Sequence, residues 1–220
     1  MVRFTTCFAL ALATATFVTG ALAGEATPRV NENGLRLVAD RDLDTVYVDT
    51  GTRVSGYDAL FVQTPTVRFK ENWARDFNRQ QPGTRIYPED EEKLVSDYTE
   101  LTERVFRETL EKRGFKLSEQ PGEGVLVVRP DIVDLDIVAP DIQRAARVER
   151  YSQSAGEMTL ALTLADGASG RPLVQVSDHK EDPRWDYMEW RTRPSNVADA
   201  KRALRGWANT LGDALEEGRW

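Results

Sequence analysis

The chain has 220 residues, 40% hydrophobic and 30% charged, a composition typical of a folded globular protein rather than a disordered one. Its formal net charge is −7 at pH 7. An acidic protein gains nothing from counterion release on DNA or RNA and is repelled by anionic lipid headgroups. We therefore expect no nucleic-acid partner and no attraction to anionic membrane surfaces.

Residues 1–23 have the pattern of a secretory signal peptide. Arg3 is their only charge, an apolar and small-residue run covers 4–18, and small residues stand before a cleavage site between Ala23 and Gly24. The alternative is a transmembrane anchor, but the apolar centre is too short to cross roughly 30 Å of hydrocarbon comfortably. We predict removal of this signal peptide and a periplasmic or secreted location, with no transmembrane segment in the mature chain.

Cysteine usage bears on anchoring and on redox chemistry. Cys7 is the only cysteine, and it lies inside the predicted signal peptide. It does not stand at the end of the apolar run, where a lipobox cysteine would be. We therefore predict a mature chain with no lipid anchor, no disulfide and no thiol nucleophile.

The mature chain begins with residues 24–40, which are polar and aperiodic and are predicted to form a flexible N-terminal segment, with order beginning near Leu35. Residues 41–217 are predicted to form a single α+β domain. Its first strands are indicated by β-branched and aromatic runs, which lie at 45–48, 57–62 and 67–70. The polar segment 71–81 is interpreted as a loop or a short helix.

A long helix is predicted from Pro88 to Arg113. Proline suits the first helical position, and the four carboxylates of 89–92 complement the positive end of the helix dipole. Apolar residues then recur at three- and four-residue steps, which gives one buried stripe. Gly114 follows two basic residues and indicates the C-cap.

The second half of the domain is predicted to be mostly β-structure. Strands are expected at 125–128 and 132–138 on either side of Pro130, with Val133, Leu135 and Ile137 facing inward. A hairpin of strands 157–165 and 172–177 follows, and a final helix is capped by Ser195 or Asn196 and ends at Gly218. We predict an α+β fold: a mainly antiparallel sheet of about five strands with two amphipathic helices packed on one face.

The sequence offers little catalytic chemistry. His179 is the only histidine, and it lies in a charged stretch interpreted as a solvated loop. With no cysteine in the mature chain, neither a Cys–His pair nor a zinc site of the usual kind is available. Nucleotide-binding motifs are missing as well. We therefore predict no catalytic, cofactor-binding or metal-binding residues.

Acidic residues between 131 and 141 suggest a calcium site or a glycosidase carboxylate pair. They are Asp131, Asp134, Asp136 and Asp141. Alternating acids are also the ordinary pattern of an exposed strand face, and the spacing of a calcium-binding loop is missing. We favour the exposed strand face.

An aromatic cluster precedes the final helix and is a possible partner patch. It contains Trp185, Tyr187 and Trp190, with Met188 among them. The more ordinary interpretation is that these rings fold back over one end of the sheet. A set of arginines, Arg144, Arg147 and Arg150, permits the same two interpretations, an acidic partner or a solvated edge.

Several segments together resemble a bacterial family catalogued as domain of unknown function 3313. They are Tyr47-Val-Asp49, Tyr57-Asp-Ala-Leu-Phe-Val62, Val67-Arg-Phe69, Trp73, Gly114-Phe115, Gly156-Glu-Met158 and Asp166-Gly-Ala-Ser-Gly-Arg-Pro-Leu173. The resemblance covers roughly 36–215 and brings no catalytic residues. More distantly, the layout is similar to small envelope accessory modules, many of which are lipoproteins with a lipobox cysteine that this chain lacks.

We therefore predict a non-enzymatic exported binding or envelope accessory protein, with an unidentified envelope protein or ligand as its partner. Two alternatives stay open. A carboxylate-dependent hydrolase acting on envelope glycans would need Asp134 and Asp136, or another acid pair, to converge in a cleft about 5–10 Å apart. An oligomeric structural protein would use the outer face of its sheet.

Overall fold

The computed structural model describes residues 27–51, 53–80, 85–137, 150–152, 156–181, 189–191 and 193–220. The strands are β1 (Arg36–Val38), β2 (Thr45–Val48), β3 (Ala59–Val62), β4 (Val67–Phe69), β5 (Val125–Ile137), β6 (Arg150–Ser152), β7 (Gly156–Asp166), β8 (Pro172–Glu181) and β9 (Glu189–Arg191). The α-helices are α1 (Trp73–Gln80), α2 (Pro88–Lys112) and α3 (Arg193–Glu217).

Seven strands form one sheet in the order β1-β2-β8-β7-β5-β3, with β4 pairing the same edge of β5 as β3 does. All its pairs are antiparallel except those of β3 and β4, which run parallel to β5. β6 and β9 pair separately. This confirms the mixed fold and the mainly antiparallel sheet. The predicted counts of five strands and two helices are too low for the described residues, which also contain the three-residue strands β1, β6 and β9 and the short helix α1.

Pro130 lies inside β5 instead of dividing it into two strands. On this side of β5, Gln63 donates its backbone N–H to the Val128 carbonyl, and Ile132 donates to the Thr66 carbonyl, both at 2.9 Å. Pro130 therefore turns its nitrogen toward the gap between β3 and β4, where no ladder hydrogen bond is needed. A proline is tolerated in a strand at such a position.

A β-bulge near the end of β5 changes which side chains face inward. The pairing register with β7 shifts between Val133 and Asp136, and Asp134 has a φ of 52°, in the left-handed region. Ile132 and Leu135 are buried as a result, whereas Val133 is half-buried. The prediction of Val133 as an inward residue is therefore wrong, because strict alternation does not survive the extra residue.

The two long helices pack beside each other on one face of the sheet, and their apolar stripes share one core cluster with it. α2 has the predicted bounds within one residue, and the Asp90 carboxylate accepts the backbone N–H of Tyr87, closing its first turn. Gly114 follows at a φ of 93°. None of the helices in the described ranges has the length and apolar character needed to cross a membrane.

The two ends of the domain lie together. Leu35 is buried just before β1, so strand pairing starts inside the range 24–40. Arg219 pairs with Asp40 and Asp42 at 3.3 and 2.9 Å, and the last residue, Trp220, is 6% exposed. These contacts attach the chain after α3 to the segment before β2.

Candidate functional site

A cavity of about 310 Å³ lies between the sheet and the helices, at one end of β5, β7 and β8. Tyr98 of α2 and the first turns of α3 border it on the helix side. Its apolar lining comes from both layers: Leu135, Ile137, Met158, Ala200 and Ala203. We call this space the end cavity. Its size is at the lower limit of the range usual for small-molecule sites.

Strand alternation explains which side chains reach the end cavity. Met158 of β7 and Lys180 of β8 are paired residues, so their side chains project from the same face of the sheet. Leu160 and Asp178, the next pair along, are both buried under the helices. This face is therefore the inner one, and Lys180 stands at its margin, where the helices cover it less.

Asp178 is a buried acid that accepts two hydrogen bonds. It is 4% exposed, and its Oδ2 accepts the indole N–H of Trp207 at 2.6 Å. Its Oδ1 accepts the backbone N–H of Asp44 at 3.0 Å. A buried carboxylate is tolerated when its oxygens are hydrogen-bonded in this way. The contacts join β8, α3 and the loop before β2 beside the end cavity.

Lys180 stands next to this acid without a hydrogen bond to it. Its Nζ is 4.0 Å from Asp178 Oδ2 and 4.9 Å from the centroid of the Trp207 ring. Within the described part of the chain, Nζ has no hydrogen-bond acceptor. Burial lowers the pKa of the Lys180 ammonium, and the charges of Asp178 and Asp44 oppose that shift only in part. Lys180 is thus a cation that the described residues stabilise incompletely.

Tyr98 brings a second polar group to the end cavity. The residue is 7% exposed, and its hydroxyl makes no hydrogen bond to any residue in the described ranges. Burial raises the pKa of this hydroxyl well above its usual range, and the nearby charges of Asp199 and Asp97 add to the shift. The phenol therefore remains a neutral donor. A buried tyrosine usually finds a hydrogen-bond partner, so an open one at a cavity wall calls for explanation.

The opposite, outer face of the sheet carries a row of carboxylates. Asp136, Glu157 and Glu181 occupy directly paired positions on β5, β7 and β8. Like charges at paired positions repel each other. Lys70 relieves part of this repulsion through an ion pair with Glu157. Among the residues that the structure describes, no three His, Cys, Asp or Glu side chains are grouped so as to hold a metal ion.

His179 lies in β8 rather than in a loop, so its predicted place is wrong; β8 continues four residues past the predicted end. Its Nδ1 is 3.1 Å from Thr159 Oγ1, and its Nε2 is 3.9 Å from Glu157 Oε2. A hydroxyl, an imidazole and a carboxylate that lie next to one another in space are the groups of a nucleophilic site. However, β7 lies between β5 and β8, so its backbone N–H groups are directed at the neighbouring strands and do not form an oxyanion hole beside Thr159.

The other predicted acids do not form a cleft. The side chain of Asp131 accepts the Thr66 backbone N–H at 2.8 Å and pairs with Arg129 at 3.0 Å. Asp134 is exposed at the bulge, and Asp136 belongs to the outer row. Asp141 lies outside the described residues.

Most of the predicted partner patch also lies outside the described residues. This holds for Trp185, Tyr187 and Met188, for the cleavage-site residues Ala23 and Gly24, and for Arg144 and Arg147. The backbones of Trp190 and Arg150 belong to β9 and β6, in which Tyr151 pairs with Trp190 and Arg150 with Arg191.

The groups at the end cavity were missed by the sequence prediction. Asp178 and Lys180 continue the inward alternation of Val174 and Val176, but their charges suggested that the strand had ended. Period-two spacing extended past Ser177 would have placed both on the inner face. Trp207 lies on the apolar side of α3, where it is 1% exposed.

Comparison with known proteins gives one family match. A family model described as "Protein of unknown function (DUF3313)" matches residues 33–211. This confirms the family resemblance inferred from the sequence. A search of curated proteins gives no match.

The chain is also similar to solved structures at low identity. A variant of PelC, a dodecamer from Paraburkholderia phytofirmans, is 12% identical with a TM-score of 0.37, covering 74% of this chain and 95% of that one. Another PelC dodecamer structure has the same identity and TM-score, with 73% and 91% covered. A minor lipoprotein from Acinetobacter baumannii is 12% identical with a TM-score of 0.34, covering 74% and 95%. TM-scores this low support no inference about the fold or assembly of this chain.

Proposed function

The chain belongs to the DUF3313 family, which has no assigned activity, and from its own geometry we propose that it is a non-enzymatic binding or accessory protein of the bacterial envelope. The signal peptide predicted for residues 1–23 supports a site of action outside the cytoplasm. The end cavity is the observation that carries the binding role. It combines an apolar lining with two polar groups, Lys180 and Tyr98, that make no hydrogen bond to the described residues.

The placement of the acids favours binding over glycan hydrolysis. A hydrolase needs a general acid and a second carboxylate facing one substrate in a cleft. Asp136, Glu157 and Glu181 lie on the face of the sheet opposite the side chains of Met158 and Lys180, and Glu157 is neutralised by Lys70. The three strand acids border the end cavity, but their side chains project from the opposite face, so they do not form a carboxylate pair that faces a substrate inside it.

Export is tested first, by expressing the full chain in a Gram-negative host and measuring the mass of the protein in the periplasmic fraction. We expect a mature chain that begins at Gly24. Intact protein confined to the cytoplasm would contradict the envelope role.

Binding is tested by blocking the end cavity. Ala203 lines it, whereas Ala198 is exposed on the same helix and is not among its lining residues. Protein isolated from the periplasm is examined by native mass spectrometry, and its partners are captured from envelope extract. We expect the wild type and Ala198→Trp to retain a bound molecule or partner and Ala203→Trp to lose it, with all three equally folded.

The same preparations also test the alternative of a glycan hydrolase and the location of the binding site. Release of product from envelope glycans by the wild type, abolished by Glu157→Gln, would show a hydrolase. Equal capture by Ala203→Trp and the wild type would show that the end cavity is not the binding site. Capture lost only on replacing Trp185, Tyr187 and Trp190 by alanine would assign binding to the aromatic patch.

A further inference from the structure

We propose that the end cavity binds a small amphipathic acid, with one carboxylate head and a single short apolar chain. This inference rests on the proposed function, because it names the ligand class of the same cavity. The carboxylate head would accept hydrogen bonds from Lys180 and Tyr98, and the apolar chain would contact the apolar lining of the cavity.

The head is matched by two donors at the cavity wall. Among the residues that the structure describes, the carboxylate oxygen recorded near Lys180 Nζ is Asp178 Oδ2 at 4.0 Å, beyond hydrogen-bond distance. The Tyr98 hydroxyl, on a residue that is 7% exposed, also lacks an acceptor among the described residues. A carboxylate has two oxygens and only accepts hydrogen bonds, and a bond between an ammonium and a carboxylate is among the stronger ones.

The fixed acids nearby do not satisfy these donors. Asp178 already accepts from Trp207 and from the Asp44 backbone, one bond at each oxygen. Asp199 borders the cavity but is paired with Arg202 at 3.0 Å. Asp136, Glu157 and Glu181 also border the cavity, but as paired residues one position along from Met158 and Lys180 their side chains project from the other face of the sheet. Because Arg202, the other cation that borders the cavity, is the partner of Asp199, Lys180 is the positive group that a ligand head meets.

The chain of the ligand is matched by the apolar lining and limited by its size. Leu135, Ile137 and Met158 belong to the sheet, and Ala200 and Ala203 belong to α3. A volume of about 310 Å³ accommodates one short alkyl chain and not the two long chains of a phospholipid. Since the protein also carries a net charge of −7, an anionic membrane surface repels it. We therefore assign the site to a free acid rather than to a lipid headgroup.

The experiment is a calorimetric titration of the mature protein with octanoate, octanol and acetate as separate ligands. Octanol has the chain without the charge, and acetate has the charge without the chain. The variants are Lys180→Met, which keeps much of the apolar stem, and Tyr98→Phe, which removes only the hydroxyl. Lys112→Met, at an exposed lysine of α2 that does not line the end cavity, is the matched control.

We expect octanoate to bind the wild type and Lys112→Met equally and to bind Lys180→Met on the order of ten-fold more weakly or worse, the effect of losing one charged hydrogen bond. Octanol should bind more weakly than octanoate and should not distinguish Lys180→Met from the wild type. Acetate should not bind measurably. Tyr98→Phe should weaken octanoate binding by a smaller factor.

Three results would overturn the inference: no octanoate binding to the wild type, equal octanoate binding to Lys180→Met, or co-sedimentation with anionic phosphatidylglycerol vesicles in place of octanoate binding. The proposed function can stand when this inference fails. A wild type that ignores octanoate but loses its envelope partner in Ala203→Trp is still a binding protein with another ligand. Failure of both experiments removes both proposals.

Discussion

Replacing Asp178 with alanine tests the buried network beside the end cavity. In the wild type, the Trp207 indole N–H and the Asp44 backbone N–H lie 2.6 and 3.0 Å from the carboxylate oxygens that accept them. The substitution removes both acceptors. An unsatisfied buried donor costs about 1–3 kcal/mol, and only the Trp207 indole is buried, since Asp44 is exposed, so the free energy of unfolding should fall by about 1–3 kcal/mol. Lys180 also loses the carboxylate beside its Nζ and keeps only the contact with the Trp207 ring there.

Urea unfolding followed by circular dichroism measures this cost, with an unchanged m-value showing that the transition stays two-state. Glu181→Ala is the matched control on the same strand; it is exposed and should change the free energy of unfolding by no more than about 0.5 kcal/mol. A loss below about 1 kcal/mol for Asp178→Ala would refute the reasoning, because the donors would then have been satisfied some other way.

A double-mutant cycle separates the contact from its surroundings. Trp207→Phe removes the indole donor while keeping most of the ring packing of a residue that is 1% exposed. Because the two side chains touch, Asp178→Ala combined with Trp207→Phe should cost about 0.5–3 kcal/mol less than the sum of the single variants. Strict additivity would show that the hydrogen bond contributes nothing.

Three further predictions concern other parts of the fold. Gly156→Ala should destabilise strongly or prevent folding, because its φ is 124° and an added Cβ would lie 2.0 Å from the Asp136 carbonyl oxygen. Trp220→Ala should lower the free energy of unfolding by about 3–5 kcal/mol, since the C-terminal ring is buried. Hydrogen bonds from Ser169, with a smaller one from Tyr57, lower the pKa of the Asp166 carboxyl below its ordinary 3.8, so its contribution to stability is present above that pH and is lost on acidification.

Each of these has a control in the same measurement. Gly122→Ala, at a position with no atom within 4 Å of an added Cβ, should behave much like the wild type, in contrast to Gly156→Ala. Leu37→Ala, on the exposed edge strand, should cost far less than Trp220→Ala. Asp166→Asn should flatten the fall of the urea midpoint below about pH 4, and an unchanged pH profile would contradict the role given to Asp166.

The long helices and central strands could be predicted from the sequence because their signals are local. The stripe of α2 and the alternation of β7 each bury the residues that their spacing indicates. Pro130 and Asp134 could not be interpreted this way, since a proline is accepted inside β5 only because β3 and β4 leave a gap, and the bulge depends on the pairing with β7.

The candidate site was less accessible to sequence reasoning than the fold. Lys180 looks like part of a charged turn until β8 is known to extend to Glu181, and Tyr98 looks like an ordinary core residue of α2. They come together only because the sheet end and α2 border one cavity. That they make no hydrogen bond to the described residues is a tertiary property that no local pattern encodes.

The most direct test of the ligand class assigned to the end cavity is a crystal structure of the mature protein grown with octanoate. We expect the carboxylate within hydrogen-bond distance of Lys180 Nζ and Tyr98 Oη, with the alkyl chain along Met158 and Ala203. An end cavity without octanoate in crystals where the ligand is bound elsewhere, or a cavity filled by the protein's own side chains, would contradict it.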